Sequence, residues 1–192
     1  MCYYIEKSML SDTAMKHQSL MKIVLSAMLA ALICVATMII TVPSPLGGFL
    51  NLGDGFVLLA GWLLGPIYGF VSAGLGSALA DLFLGYAFYV PGTFVIKGLS
   101  ALLGMVLIRG LARCVPHRSV RFAAAGIVAE MEMVAGYFAY SAVFGGEGWG
   151  AIVSVPGNLV QGAVGICVFT VLAAVFEKYH LTDVFRTQKK QG

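Results

Sequence analysis

The chain has 192 residues, of which 59% are hydrophobic and only 11% charged, with a formal net charge of +3. A soluble domain carries about 25% charged residues, and a globule of this size has too much surface to cover with so few. A water-soluble fold is excluded, and an integral membrane protein is expected.

Residues 1–21 are mixed polar and are expected to form a cytoplasmic N-terminal segment, with Met15 or Met21 equally suited to be the true start. The apolar run Ile23–Val42 is too long for the core of a signal peptide and ends in TVPSP, not in a small-x-small cleavage site. It reads as the first of six membrane helices, about 22–42, 52–65, 66–84, 93–113, 120–144 and 153–177. The second is anomalous. The stretch NLGDGFVLLAGWLLGP carries Asp54 at its start and stops at Gly65-Pro66. Its roughly 14 residues span about 21 Å of helix, short of the ~30 Å hydrocarbon core. The fold class is thus an all-α, six-helix membrane bundle over residues 22–178, followed by a basic cytoplasmic tail at 179–192.

Lys and Arg orient the bundle. Lys7, Lys16 and Lys22 precede the first span, Arg109, Arg113, Arg118 and Arg121 cluster between the fourth and fifth, and Lys178, Arg186, Lys189 and Lys190 follow the sixth. The other substantial connections, VPSPLGGFLN, GYAFYVPG and GGEGWGAIV, contain neither residue. With six spans every basic segment falls on one side, which places both termini in the cytoplasm.

Against that frame the polar residues of the spans gather toward the outer face. Asp54 opens span two, at the expected outer mouth of a pocket, and Asp81 closes span three. Lys97 lies about one turn into span four, and Asn158 and Gln161 sit at matching depth in span six. Glu130 and Glu132 lie near the middle of span five; two residues apart on a helix, they diverge by about 200°, so only one can face the bundle centre. A charge at mid-membrane costs roughly 2.5–3.5 kcal/mol, so such groups persist when they pair or line a wet cavity. Lys97 can be the structural partner of Asp54 or Asp81, and both aspartates can equally be hydrated at the interface. Aromatic residues surround the same region, among them Phe49, Phe83, Tyr86, Phe88, Tyr89, Phe94, Tyr137, Tyr140 and Trp149. They serve either as interfacial anchors or as walls for a flat heteroaromatic ligand. Asn51, Asp54, Asp81, Tyr89, Lys97, Glu130, Tyr137, Asn158 and Gln161 are the candidate substrate-binding residues.

Small residues mark packing faces. Gly69, Ala73 and Ser77 form a stripe that ends at Asp81 and is expected to pack inside the bundle, while Ser26/Ala30 and Ala27/Ala31 form two overlapping pairs in span one. Cys2, Cys34, Cys114 and Cys167 form no CxxC pair, and His17, His117 and His180 lie outside the apolar segments, so neither a disulfide framework, a metal site nor a cofactor is expected. There is no GxxxxGK[ST], HExxH or GxSxG. An enzyme is therefore disfavoured, and any solute accumulation must draw on ion coupling or on an energising partner.

The six-span pattern, the pair Ala27 and Ala31, the block NLGDGFVLLAGWLLGPIYGFVSAGLGSALADLFLGYAFYVPGTFVIKG and PGNLVQG at the start of span six together resemble the substrate-binding S components of energy-coupling factor (ECF) vitamin transporters, riboflavin-type subgroup. The resemblance runs from Lys22 to about Lys178. It implies that Ala27 and Ala31 dock a transmembrane T component driven by two cytosolic ATPases. It also implies that the loop Pro43–Asn51 caps an outer pocket, that the chain resides in the bacterial plasma membrane as a multi-pass protein, and that it tips within the membrane on docking. No nucleic-acid partner is expected. The ligand is then a small water-soluble vitamin or precursor of riboflavin, pyridoxine or hydroxymethylpyrimidine type. The alternative is an autonomous ion-coupled or facilitative carrier with Glu130 or Asp81 as coupling carboxylate.

Overall fold

The computed structural model describes residues 2–39, 42–43 and 49–182, with side chains described for 20–39 and 51–182. Six α-helices follow one another: α1 (Cys2–Ile39), α2 (Gly53–Leu64), α3 (Pro66–Phe83), α4 (Val90–Gly110), α5 (Arg118–Val143) and α6 (Val155–Lys178). The polar N-terminal stretch is helical and continuous with the first span. Between α1 and α2, β1 (Val42–Pro43) and β2 (Phe49–Leu50) form a two-residue antiparallel ladder, Val42 opposite Leu50. Most of the expected capping loop 43–51 and the tail from residue 183 onward lie outside the described residues.

Breakers set the helix limits. Gly65, with φ +83°, ends α2, and Pro66 opens α3 at a position where its missing N–H is not needed. Prolines likewise stand in the first turns of α4 and α6, which is why α4 begins at Val90, three residues ahead of the expected start. The segment before α6, expected as part of that span from residue 153, is instead a 3₁₀ stretch, Gly148–Ser154.

Among the described residues five segments are long and apolar enough to cross a membrane, and α2, at 12 residues, is the exception. It lies at the centre. Its residues Gly53–Gly55 and Val57–Gly61 are buried, and α1, α3, α4 and α6 all pack on it. Glycine makes these approaches possible: a Cβ on Gly61 would run into the backbone carbonyl of Ala101 in α4. Gly69 of the small-residue stripe meets Ala60 and Gly61, and Ala73 is fully buried, so the stripe packs internally as expected. One end of the bundle is filled by Leu58, Leu59, Ile108, Phe122 and Phe169, with Trp62 edge-on to Phe122 at 5.1 Å. Arg109 lies beside Gly65 at this end, and Arg118 bonds Glu177 at 2.8 Å.

Candidate functional site

The opposite end holds a cavity of about 410 Å³, lined from α1, α3, α4, α5 and α6 and from the connections between helices. The residues lining it sit toward the C-terminal ends of α1, α3 and α5, toward the N-terminal ends of α4 and α6 and, through Asn51, just ahead of α2, as an up-and-down bundle requires. Asn51, Asp81, Tyr89, Lys97, Tyr137, Asn158 and Gln161, all expected from sequence, line it. Tyr86 and Glu147 do so from exposed positions at the mouth.

Asp54 is not on the rim. It is 1% exposed, buried beneath the cavity and absent from its lining. The Lys97 ammonium pairs with Asp54 Oδ1, and Gln161 Nε2 donates to Oδ2 at 2.7 Å. Burial of a carboxylate demands such compensation, and here α4 and α6 supply it to α2. The same ammonium lies 5.4 Å from the centroid of the Tyr137 ring. Asn51 is also partly committed, because its Oδ1 accepts the Gly53 N–H at 2.9 Å and caps the start of α2.

A second carboxylate organises the other wall. The Thr93 hydroxyl donates to Asp81 Oδ2 and accepts from the Tyr137 hydroxyl at 3.0 Å, tying α3, α4 and α5 together. Tyr89 and Ser141 hydroxyls are 3.1 Å apart. Of the two span-five glutamates, Glu130 turns inward. It is 4% exposed, lies against Gly162 of α6, and neither of its oxygens has a hydrogen-bond partner among the described residues. Glu132 is half-buried and accepts the Ser100 hydroxyl of α4 at 2.8 Å. Glu130, like Asp54, is not part of the cavity lining.

The aromatic residues divide. Tyr86, Tyr89 and Tyr137 line the cavity, whereas Phe83, Phe88 and Trp149 are exposed, and Phe94 packs edge-on against Phe70 at 5.7 Å. Sequence reasoning left out Thr37, Ser77, Thr93, Ser141 and Glu147 as site residues. Ser77 and Thr93 each stand four residues before a chosen charge, Asp81 and Lys97, and so share its helix face; that spacing was the available signal. Hydroxyls elsewhere in apolar helices carry no such mark. No group of three or more His, Cys, Asp or Glu able to hold a metal occurs among the described residues.

Ala27 and Ala31 face outward on α1, between exposed Val24, Met28 and Val35. The companion pair is used internally: the Ser26 carbonyl accepts the Ser72 hydroxyl at 3.0 Å, and the Ala30 carbonyl lies against Gly76 of α3.

A bundle of apolar helices around a ligand-sized, polar-floored cavity defines a solute-binding membrane protein. The family model described as ECF-type riboflavin transporter, S component, matches residues 17–178, and the chain belongs to this family of ECF transporter S components. That is a transporter-component family and not an enzyme class. The chain is 29% identical over 175 residues to the thiamine precursor transporter HmpT of Lactococcus lactis, covering 90% of this chain and 97% of that protein. It is 31% identical over 147 residues to an uncharacterized protein of Pyrococcus woesei, covering 76% of this chain and 95% of that one. Two solved structures share the fold. An S component of a bacterial ECF transporter matches with a TM-score of 0.60 at 20% identity, over 84% of this chain and 98% of that one. An S component for biotin from an ECF-type ABC transporter matches with 0.53 at 22% identity, over 92% and 94%.

Proposed function

We propose that the chain captures a small heteroaromatic vitamin or vitamin precursor, of hydroxymethylpyrimidine, pyridoxine or riboflavin type, at the outer face of the cell membrane and hands it to an ECF module for uptake. The observation that carries this reading is the cavity of about 410 Å³, walled by Tyr86, Tyr89 and Tyr137 over a floor of Asp81, Lys97, Asn158 and Gln161. Its volume lies within the roughly 300–1,000 Å³ of small-ligand sites, and the mixture of aromatic walls with a few fixed polar groups suits a flat ring with polar substituents. Similarity to a thiamine precursor transporter along most of the chain supports the pyrimidine end of that range.

In this reading Asp81, Asn158 and Gln161 contact ligand, while Asp54 holds Lys97 in place from below. Both termini are cytoplasmic, because Arg109, Arg113, Arg118 and Lys178 all lie at or near the end of the bundle away from the cavity. Ala27 and Ala31 form the docking face for a T component energised by two cytosolic ATPases. The test is purification of the full chain from a host grown in rich medium, with mass spectrometry of whatever co-purifies. The expected result is one stoichiometric heteroaromatic vitamin or precursor. Ligand-free protein that binds none of the three candidate types would overturn the proposal, as would gradient-driven uptake into liposomes by this chain alone.

A further inference from the structure

Four hydrogen-bond donors at the floor of the cavity are committed within the protein, three of them to its own carboxylates. Lys97 and the Gln161 amide donate to Asp54, Thr93 donates to Asp81, and the Tyr137 hydroxyl donates to Thr93. The charge of Lys97 is neutralised by Asp54 before any ligand arrives. Acceptor capacity remains on the other side of the ledger. Among the described residues Asp81 is bonded through Oδ2 alone, the Gln161 carbonyl is uncommitted once its NH₂ is engaged, and Glu147 stands at the mouth. Among the described residues Lys97 is the only cationic one in the lining, against two carboxylates, so the cavity with its Asp54-bound lysine carries uncompensated negative charge.

We infer that the site selects its ligand by donors and charge: it takes a neutral or cationic nitrogen heterocycle that presents N–H groups to Asp81, and it rejects phosphorylated or carboxylated relatives of the same size. This deepens the proposed function and rests on it. Asp81 is then the specificity-determining residue, since Thr93 and Tyr137 fix its carboxylate from one side and leave the other for the ligand edge. An anion placed there would face Asp81 and Glu147 with no free cation among the described lining residues to meet it, and like charges brought together in a dehydrated site are rejected. Lys97 acts as a positioning residue that sets the floor through Asp54.

The experiment is a binding panel on the full chain in detergent, read by calorimetry: hydroxymethylpyrimidine, pyridoxine and riboflavin, set against hydroxymethylpyrimidine phosphate and nicotinate. The neutral ring that binds is expected to do so at least about a hundredfold more tightly than either anion. Asp81→Asn should weaken it by about ten- to hundredfold, the loss of a hydrogen bond to a charged group, and narrow the gap to the anions. Glu147→Gln, at an exposed position between α5 and α6, should narrow the gap with a smaller loss for the neutral ring than Asp81→Asn. Binding of the anions as tight as that of the neutral ring overturns this inference and leaves the proposed function standing. Unchanged affinity in a folded Asp81→Asn variant does the same. Failure of every neutral ring to bind removes both.

Discussion

Replacing Lys97 by Met removes the ammonium that faces Asp54 and keeps a side chain of similar length. Asp54 is 1% exposed and would retain only the Gln161 amide as a partner. Breaking a buried ion pair on one side costs about 3–5 kcal/mol, because the surviving charge stays desolvated and unpaired. For a chain of this size each kcal/mol moves the midpoint by about 2–4 °C, so the variant should melt roughly 6–20 °C below the parent. Removing both charges is a different perturbation: Asp54→Asn can still accept from Gln161 and leaves no uncompensated ion, so Lys97→Met/Asp54→Asn should regain most of the loss. The assay is thermal unfolding of all four proteins in one detergent. Intrinsic fluorescence is a suitable readout, because Trp62 packs edge-on against both Phe122 and Phe169 of the core. A double-mutant cycle should give a coupling of at least about 2 kcal/mol, within the range for residues in direct contact. If the loss in the double variant equals the sum of the losses in Lys97→Met and Asp54→Asn, the pair does not couple and the account of the cavity floor fails.

Gly61→Ala would press a methyl into the Ala101 carbonyl, a backbone atom that cannot rotate away; a loss of about 1–3 kcal/mol is expected in the same unfolding assay. The two small-residue pairs of α1 should separate by phenotype. Ala27→Trp or Ala31→Trp, on the exposed face, should abolish ECF-dependent uptake with ligand affinity unchanged, whereas Ala30→Trp, against α3, should destabilise the bundle itself. Uptake at parental rates in the Ala31→Trp variant would remove the proposed docking face. Ser100→Ala leaves Glu132 without its hydroxyl donor and should cost about 1–3 kcal/mol, measured by unfolding.

Much of the helical frame was legible because lipid imposes it. Apolar runs with Pro/Gly breaks mark helices strongly, and α3 and α5 fall within two residues of their expected limits. α4 begins three residues early because Pro at a helix start is compatible with helix, and the first two residues expected in the sixth span belong to a 3₁₀ stretch whose apolar composition resembles a span. At the cavity, charges and amides in lipid-depth helices were conspicuous, and seven of the nine candidates line it. Their mutual pairing was not readable. That Lys97 takes Asp54 and not Asp81, or that Glu130 and not Glu132 turns inward, depends on helix rotation, and a single sequence gives the period of a helix without its phase relative to its neighbours. Glu147 escaped notice because a carboxylate in a connecting loop looks like any hydrated surface charge until the loop is seen to cross the cavity mouth.

The shortness of α2 and the charge at its start have one cause. A helix of 12 residues spans about 18 Å, and in contact with lipid it would leave backbone groups at both ends unsatisfied in hydrocarbon. Here α1, α3, α4 and α6 enclose it, so its ends meet protein. Gly53 receives the Asn51 side chain at one end, and the Gly65 N–H bonds Gly61 at the other. Enclosure also removes water, so Asp54 in the first turn can remain only by recruiting Lys97 from α4 and Gln161 from α6. Those partners then sit between α2 and the open end of the bundle, where they form part of the cavity floor. A longer α2 would carry its first turn up into the space the cavity occupies. The truncated helix thus creates the room for a ligand, and the buried aspartate fixes the polar groups that line it.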